Sequence, residues 1–183
     1  EDGMLVHSRA LFNEMTDHVK VSDPEGWSVL CDVRMRTAGY QGRMEDYIAR
    51  NPHSALCPQI RYAYAADLFE RKEYRAASEE YAKIDRKSLY KAQIDEYLFR
   101  QAYCELELGN TAAATDIFVE LSSRPVTGFT APSQYILGYV KYQINDFHSA
   151  LSWFEKAVTD TRFAENASWY IMECRFMLKD YNY

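Results

Sequence analysis

The 183-residue sequence has little of what marks several classes of protein. It contains only seven glycines and five prolines, and none of its apolar runs approaches the roughly 18 residues that a membrane-spanning helix requires. Its 21 basic residues are interspersed with 27 acidic ones, which gives a net charge of −6 and no basic tract. A nucleic-acid-binding domain normally carries a basic stripe. The sequence therefore predicts neither a membrane span nor a nucleic-acid partner.

Cysteine and histidine are also few and scattered. The four cysteines are Cys31, Cys57, Cys104 and Cys174, and the four histidines are His7, His18, His53 and His148. No Cys-x2-Cys pair, His-Glu-x2-His motif or mixed cluster occurs, and structural or catalytic zinc requires ligands at such spacings. We therefore expect no metal site, and we expect the cysteines to act as small buried apolar residues.

The sequence contains no motif of a known catalytic centre. It has no glycine-rich phosphate loop and no Gly-x-Ser-x-Gly nucleophile elbow. The acidic and basic residues alternate in the way of an ordinary solvated surface. We therefore predict a protein that is not an enzyme and that binds no cofactor.

What the sequence does contain is a spaced repetition. Ala77, Ala114 and Ala150 recur at intervals of 37 and 36 residues, and an aromatic residue follows each of them four positions later. Periods in the thirties are typical of stacked helical hairpins, because each hairpin buries its apolar face only against its neighbours. The pattern predicts an all-α protein, built as a right-handed α-solenoid of antiparallel helix hairpins.

Apolar residues at three- and four-residue steps predict ten helices. Their ranges are 4–20, 26–38, 42–51, 58–71, 74–85, 93–108, 111–122, 132–144, 147–158 and 165–178. The five prolines all fall between the predicted helices or at their starts, which supports the assignment because an interior proline costs about 3 kcal/mol. Gly138 lies mid-helix instead, and we expect it to let a neighbouring helix approach closely.

The helices group into one predicted domain over residues 1–183. After the leading helix 4–20, the repeats cover about 24–57, 58–94, 95–130, 131–164 and a truncated 165–183.

One stretch of the chain resembles a known repeat family. Its residues are Tyr135-Ile136-Leu137-Gly138, Asn145-Asp146-Phe147, Ala150-x3-Phe154 and Ala157. They resemble a tetratricopeptide repeat, which pairs Leu-Gly in its first helix with Ala-x3-Phe in its second. The resemblance extends more weakly over 58–181, and a degenerate repeat covers 24–57. It implies a superhelix that binds a protein or peptide on its concave face.

The first helices depart from the family pattern. Where the family usually has an aromatic residue, this chain has Arg34, Glu105, Lys141 and Arg175. Its aromatic residues lie one position later, at Phe69, Tyr142 and Phe176. This shift indicates first helices that are rotated relative to the usual frame, so the family's ligand-contacting positions are not transferred residue by residue.

The candidate partner-binding residues are aromatic side chains of the predicted first helices. Tyr135, Tyr139 and Tyr142 are spaced i, i+4, i+7 and share one helical face. Such a stripe either lines the concave groove for a partner or packs against adjacent hairpins, and packing is the more frequent role. The full candidate set is Phe99, Tyr103, Tyr135, Tyr139, Tyr142, Trp169 and Tyr170.

Both ends of the sequence read as interrupted. The chain starts at Glu1, and residues 180–183 begin a second helix that does not continue. We expect it to be the N-terminal part of a longer protein. The apolar residues of helix 165–178 then predict self-association through residues 169–183, or covering by further repeats.

These patterns favour a non-enzymatic scaffold that binds a protein or peptide partner on a concave surface. Two alternatives stay open: a structural spacer or cap in a larger envelope assembly, and an accessory domain of a multidomain enzyme or signalling protein. The chain also resembles envelope-associated repeat proteins of Gram-negative bacteria. That resemblance implies a periplasmic or cell-envelope location rather than a cytoplasmic one, whereas the four unpaired cysteines favour a reducing compartment.

Overall fold

The computed structural model describes residues 23–179. Within that range the chain is all-helical and contains no strand. Its α-helices are α1 Pro24–Met35, α2 Tyr40–Arg50, α3 Cys57–Glu70, α4 Tyr74–Ala82, α5 Ile94–Glu107, α6 Thr111–Ser123, α7 Thr130–Gln143, α8 Phe147–Ala157 and α9 Ala164–Met177. Two short 3-10 helices, Arg86–Ser88 and Lys91–Gln93, connect α4 to α5. The all-α prediction is confirmed.

The helix assignments made from the sequence agree with the structure throughout the described range. Each observed helix end lies within three residues of its predicted position, while the predicted leading helix 4–20 lies outside the described residues. Pro24 is the first residue of α1, and Pro58 and Pro132 lie in the first turns of α3 and α7. A first turn tolerates proline because its amides have no partner within the helix.

The first helix of each hairpin, and likewise α9, ends in the same turn. One residue of the turn is left-handed, with φ between 54° and 82°: Arg36, Lys72, Gly109, Asn145 and Lys179. In the first four of these turns, the amide that follows the left-handed residue closes back onto the helix, as in the 2.8 Å hydrogen bond from Asn110 N to Glu105 O. Arg36, Lys72 and Lys179 therefore adopt a backbone conformation that their side chains disfavour, whereas glycine and asparagine tolerate it. The recurrence of one turn indicates a repeated local structure.

The deepest side chains of the second helices also recur. Tyr47, Tyr81, Phe118 and Phe154 are at most 1% exposed and lie 34, 37 and 36 residues apart. Ala77, Ala114 and Ala150 are equally buried. A Cβ placed on Gly138 would lie only 2.8 Å from the Phe154 ring, so the predicted close approach at this glycine is confirmed.

The described helices form two compact units: unit 1 contains α1 to α4 and ends at Lys91, and unit 2 begins at Ala92 and contains α5 to α9. In unit 1, α1 packs on α2 and α3, and α3 packs on α4. A cluster of apolar side chains from α1, α2 and the start of α3 forms its main core: Val29, Leu30, Val33, Met44, Tyr47, Leu56, Cys57 and Ile60. Two carboxylates are buried in the same unit, Asp32 at 1% and Asp67 at 5% exposure.

In unit 2 each helix packs on the next one, from α5 through to α9. One core cluster contains Ala102, Ala114, Phe118 and Leu137, and a second contains Ala150, Phe154, Ala167 and Cys174. This serial packing is repeat-like and compatible with a solenoid. A single solenoid over the whole chain stays a prediction.

Candidate functional site

The seven predicted partner-binding residues all lie in unit 2, on α5, α7 and α9. Tyr139 and Trp169 are exposed, at 40% and 50%. The other five are partly buried: Phe99, Tyr103, Tyr135, Tyr142 and Tyr170. The set therefore divides into a surface pair and an underlying layer, rather than lying wholly in a groove or wholly in the core.

Tyr170 of α9 is the centre of an aromatic layer. Its ring stacks on Phe154 at 4.7 Å with the planes 5° apart, and it meets the edge of Tyr142 at 5.1 Å. Edge contacts at 6.1, 5.9 and 4.8 Å join it to Tyr135, Tyr139 and Trp169. Since each such pair adds about 0.5–1.5 kcal/mol beyond simple burial, the layer holds Tyr139 and Trp169 on a rigid base.

Two hydroxyls of this layer, those of Tyr135 and Tyr170, stay protonated. Burial, and then the proximity of Tyr139, raise the pKa of Tyr135. Burial also raises the pKa of Tyr170, with smaller contributions from the neighbouring tyrosines. Both side chains therefore present an uncharged ring and a neutral hydroxyl at physiological pH. That combination suits a binding surface, because tyrosine offers both ring area and a hydrogen-bonding group.

Phe99 and Tyr103 belong to a second ring group, around α5. The ring of Phe99 lies 5.4 Å from Phe129, 5.8 Å from Phe118 and 6.3 Å from Tyr103. Both side chains pack against the core cluster that contains Ala102 and Phe118. We interpret them as supports of the α5–α6 hairpin, and the candidate surface centres on α7 and α9.

A second exposed surface runs along α9. Trp169, Met172 and Phe176 share one helical face, at i, i+3 and i+7, and are 50%, 59% and 61% exposed. Met177 borders them at 49%. Trp169 thus belongs both to the aromatic layer and to this surface. Self-association through residues 169–183 stays a prediction, and residues 180–183 lie outside the described range.

Unit 1 contains a cavity of about 590 Å³ between the α2–α3 connection, the start of α3 and the segment after α4. Its lining includes Cys57, whose thiol donates a 3.1 Å hydrogen bond to the Asn51 carbonyl and whose pKa is raised by burial. Arg61 and Lys83, also in the lining, pair with Glu80 at 2.8 and 2.6 Å. The thiol is therefore protonated, and both cations are engaged by one carboxylate, which is unlike the environment of a reactive cysteine.

The buried carboxylates of unit 1 are not among the residues predicted from the sequence. Asp67 accepts a 2.7 Å hydrogen bond from the Tyr40 hydroxyl, and Asp32 accepts one of 2.8 Å from Arg43 Nε. The available signal was an acidic residue inside the otherwise apolar stretch 65–69 of a predicted helix. Both carboxylates are held by opposite charge or a hydroxyl, so we interpret them as structural.

Within residues 23–179, no three His, Cys, Asp or Glu side chains are grouped as a metal site would require. In the same range no helix is both long and apolar enough to cross a bilayer. Comparison with protein-family models, curated proteins and solved structures finds no match to this chain.

Proposed function

We propose that this protein is a tetratricopeptide-type α-solenoid that binds a protein or peptide partner through the aromatic surface of unit 2. Binding occurs at a pre-formed surface and involves no bond chemistry. The observation that carries the proposal is the aromatic layer around Tyr170, which holds two exposed rings, Tyr139 and Trp169, on successive first helices.

Three recurring features support the repeat assignment. The left-handed turn after each first helix, the buried alanine of each later second helix and the deep ring four residues beyond it all return at intervals of 34 to 37 residues. Gly138 packs against Phe154 where the family pattern pairs its first-helix glycine with its second-helix aromatic. Helices that pack in series bury their apolar faces against neighbours, as solenoid repeats do.

The binding assignment is supported by the chemistry and rigidity of the exposed rings. Tyrosine and tryptophan are enriched among the residues that dominate interface energies. Tyr139 and Trp169 both contact the Tyr170 ring, so little conformational entropy is lost when a partner orders them. Such pre-organisation strengthens binding.

A stability measurement tests whether Tyr139 belongs to the surface. Tyr139→Ala should lower the free energy of unfolding by less than about 1 kcal/mol, the usual range near an exposed site. Tyr170→Ala removes the centre of the layer and should cost about 3–5 kcal/mol. Chemical denaturation of both variants gives the comparison. A loss above about 3 kcal/mol for Tyr139→Ala would place this ring in the core.

A peptide selection tests binding itself. Peptides from a displayed random library are selected on the purified chain, and their affinities are then measured for Tyr139→Ala/Trp169→Ala. We expect a loss of about 30-fold or more, equivalent to about 2 kcal/mol. Ile144→Ala is the matched control, because Ile144 is 63% exposed in the same unit. Equal affinities for the double variant and the wild type would favour the structural-spacer alternative.

A further inference from the structure

The cavity of about 590 Å³ in unit 1 has walls that the fold holds in place. In the α2–α3 connection, the Ser54 hydroxyl donates a 2.6 Å hydrogen bond to Asp23. The opposite wall is the segment after α4, which the buried side chains of Ile84 and Leu89 anchor. The cavity is therefore pre-formed, and its volume lies in the range of about 300–1,000 Å³ that is usual for ligand pockets.

One part of the cavity lining is apolar. It consists of Ile48, Pro52, Ala55 and Pro58. Proline and alanine lose no rotamer freedom when a ligand covers them, so contact with this part costs little conformational entropy. A ligand that fits the cavity therefore has an apolar body.

Another part of the lining is cationic. Arg61 Nη1 and Lys83 Nζ lie 2.8 and 2.6 Å from the two carboxylate oxygens of Glu80, so two positive charges share one negative charge. A guanidinium has five N–H groups and an ammonium has three, so a single carboxylate cannot occupy them all. His53 and Ser88, which also line the cavity, are further possible hydrogen-bond donors. This set of donors is complementary to an oxyanion.

Asp85 also lines the cavity, and its negative charge is offset by its neighbours. Its Oδ1 accepts a 3.0 Å hydrogen bond from the Lys87 amide. Segment 83–88 contains three basic residues, Lys83, Arg86 and Lys87, and one acidic residue. The wall after α4 is therefore net positive, which favours an anionic ligand over a cationic one.

We propose that this cavity binds a small organic anion, which has an apolar body and one carboxylate or phosphate group. The anionic group contacts Arg61 and Lys83, since arginine pairs with planar oxyanions through two parallel hydrogen bonds. Binding is reversible, because the Cys57 thiol donates its hydrogen to the Asn51 carbonyl and takes no part in chemistry. The site lies in unit 1, so the inference goes beyond the proposed partner binding by unit 2.

Three probes with the same apolar body test the ligand class: phenylbutyrate, phenylbutyl phosphate and phenylbutylamine. Each is titrated into the whole chain, and the shifts of backbone amide resonances give both the affinity and the location of binding. At least one of the two anions should bind about tenfold or more tightly than the amine, with shifts at His53 and Ser88. The tighter anion distinguishes a carboxylate ligand from a phosphate ligand.

Three results of this titration would overturn the proposal. They are equal binding of the amine and the anions, no binding of either anion, and shifts confined to residues outside the cavity. The affinity of the anion should also fall as salt is added, because the cations are partly exposed.

Charge-removing variants localise the anionic group. Arg61→Gln and Lys83→Gln should each weaken binding of the tighter anion about tenfold, which corresponds to the loss of one charged contact. The matched control is Arg75→Gln, which removes an exposed cation from α4 of the same unit. Circular dichroism melting checks that the variants stay folded, and Lys83→Gln is the decisive one because its side chain is 51% exposed. An equal loss in Arg75→Gln would indicate attraction to overall charge and would overturn the site.

Two further variants separate this cavity from the surface of unit 2. Ala55→Phe places a ring in the cavity without changing its charge and should abolish binding of the anions. Tyr139→Ala/Trp169→Ala should bind them as the wild type does. If that double variant lost anion binding while Ala55→Phe kept it, the anions would bind to unit 2 and the inference would fail, whereas the proposed partner binding would stand.

Discussion

The first helices of units 1 and 2 end in the same turn, but they differ in the residue that occupies one position shortly before that turn. The position five residues before the left-handed residue is Cys31 and Asp67 in unit 1, and Cys104, Val140 and Cys174 in unit 2. Asp67 is 5% exposed, and Cys104 and Cys174 are fully buried. This position therefore contains a carboxylate in α3 of unit 1, and a neutral thiol or a valine in each of the other four helices.

The neighbours of Asp67 explain how a charge is tolerated there. Arg36 forms an ion pair with it, the Tyr40 hydroxyl donates a 2.7 Å hydrogen bond, and Arg71 Nε lies 3.5 Å away. Burial, with Asp67 beside it, raises the pKa of Tyr40 to about 12, so this hydroxyl stays a donor. A buried carboxylate is stable only when opposite charge or donors surround it.

Unit 2 uses neutral groups at the same position. Burial raises the pKa of Cys104 to about 12 and that of Cys174 to about 11, so both thiols remain protonated. The second core cluster of the unit is held instead by stacked rings, with Phe154 and Tyr170 at 4.7 Å. Four of the five helices have cysteine or valine at this position, and α3 accommodates a charge there because Arg36 and Tyr40 supply partners from the α1–α2 turn.

The largest expected effect comes from moving the unit 1 residue into unit 2. Cys104→Asp would bury a carboxylate without the arginine and tyrosine partners of Asp67, and should cost about 3–5 kcal/mol, as uncompensated buried charges do. Chemical denaturation measures it, with Cys104→Ala as the size control. A variant as stable as the wild type would show that unit 2 can solvate this position.

A second test asks whether the two units share one hairpin geometry. Ala77 of unit 1 is fully buried and Ala114 of unit 2 is 1% exposed. Replacing either with leucine should overpack the helix crossing and cost about 1–3 kcal/mol. Similar shifts of the denaturation midpoint would support a common geometry. An unchanged midpoint for either variant would contradict the repeat frame at that hairpin.

The reverse exchange, Asp67→Cys in unit 1, should cost about as much stability as the alanine-to-leucine replacements, or less. Asp67→Cys removes the acceptor of the Tyr40 hydroxyl, and an unsatisfied buried group costs about 1–3 kcal/mol. Asp67→Asn keeps an acceptor and should lose less. Denaturation of the two variants separates the hydrogen bond from the charge. If both variants were as stable as the wild type, the polar contacts of Asp67 would not contribute to the stability of unit 1.

The smallest expected effect concerns Asp23 of unit 1, whose protonation in acid should lower the free energy of unfolding. Burial would raise the pKa of Asp23, but hydrogen bonds from Ser54, Tyr47 and the Gly26 amide outweigh it and lower the pKa. A carboxyl whose pKa is lowered in the folded state stabilises the protein above its ordinary pKa, and the contribution disappears as pH falls through the folded value.

Between pH 7 and pH 3, Asp23→Asn should therefore lose less stability than the wild type, by less than about 1 kcal/mol because the group is partly solvated. Asp146 of unit 2 caps α8 through the Ser149 amide at 3.2 Å but lies at the surface, so Asp146→Asn should change the pH dependence less. Unfolding free energies at the two pH values, measured for both variants, provide the comparison. A larger change in pH dependence for Asp146→Asn than for Asp23→Asn would contradict the prediction that Asp23 contributes more to stability than Asp146.

Local patterns in the sequence determined the helices and their repetition. Helix positions follow from apolar residues at three- and four-residue steps and from proline placement, which are short-range constraints. The burial of Ala114 and Phe118 follows as well, because residues four apart lie on one helical face. These features could be predicted without knowing which helices meet.

Only the tertiary structure decided which aromatic rings reach the surface and where charge is buried. The spacing of Tyr135, Tyr139 and Tyr142 puts them on one face, but it does not say what covers that face. In the folded unit, α8 and the Tyr170 ring cover parts of it and leave Tyr139 40% exposed. Likewise, Asp67 is buried because Arg36 and Tyr40 come from a different hairpin. Exposure and charge compensation depend on contacts between segments distant in sequence, so no local pattern encodes them.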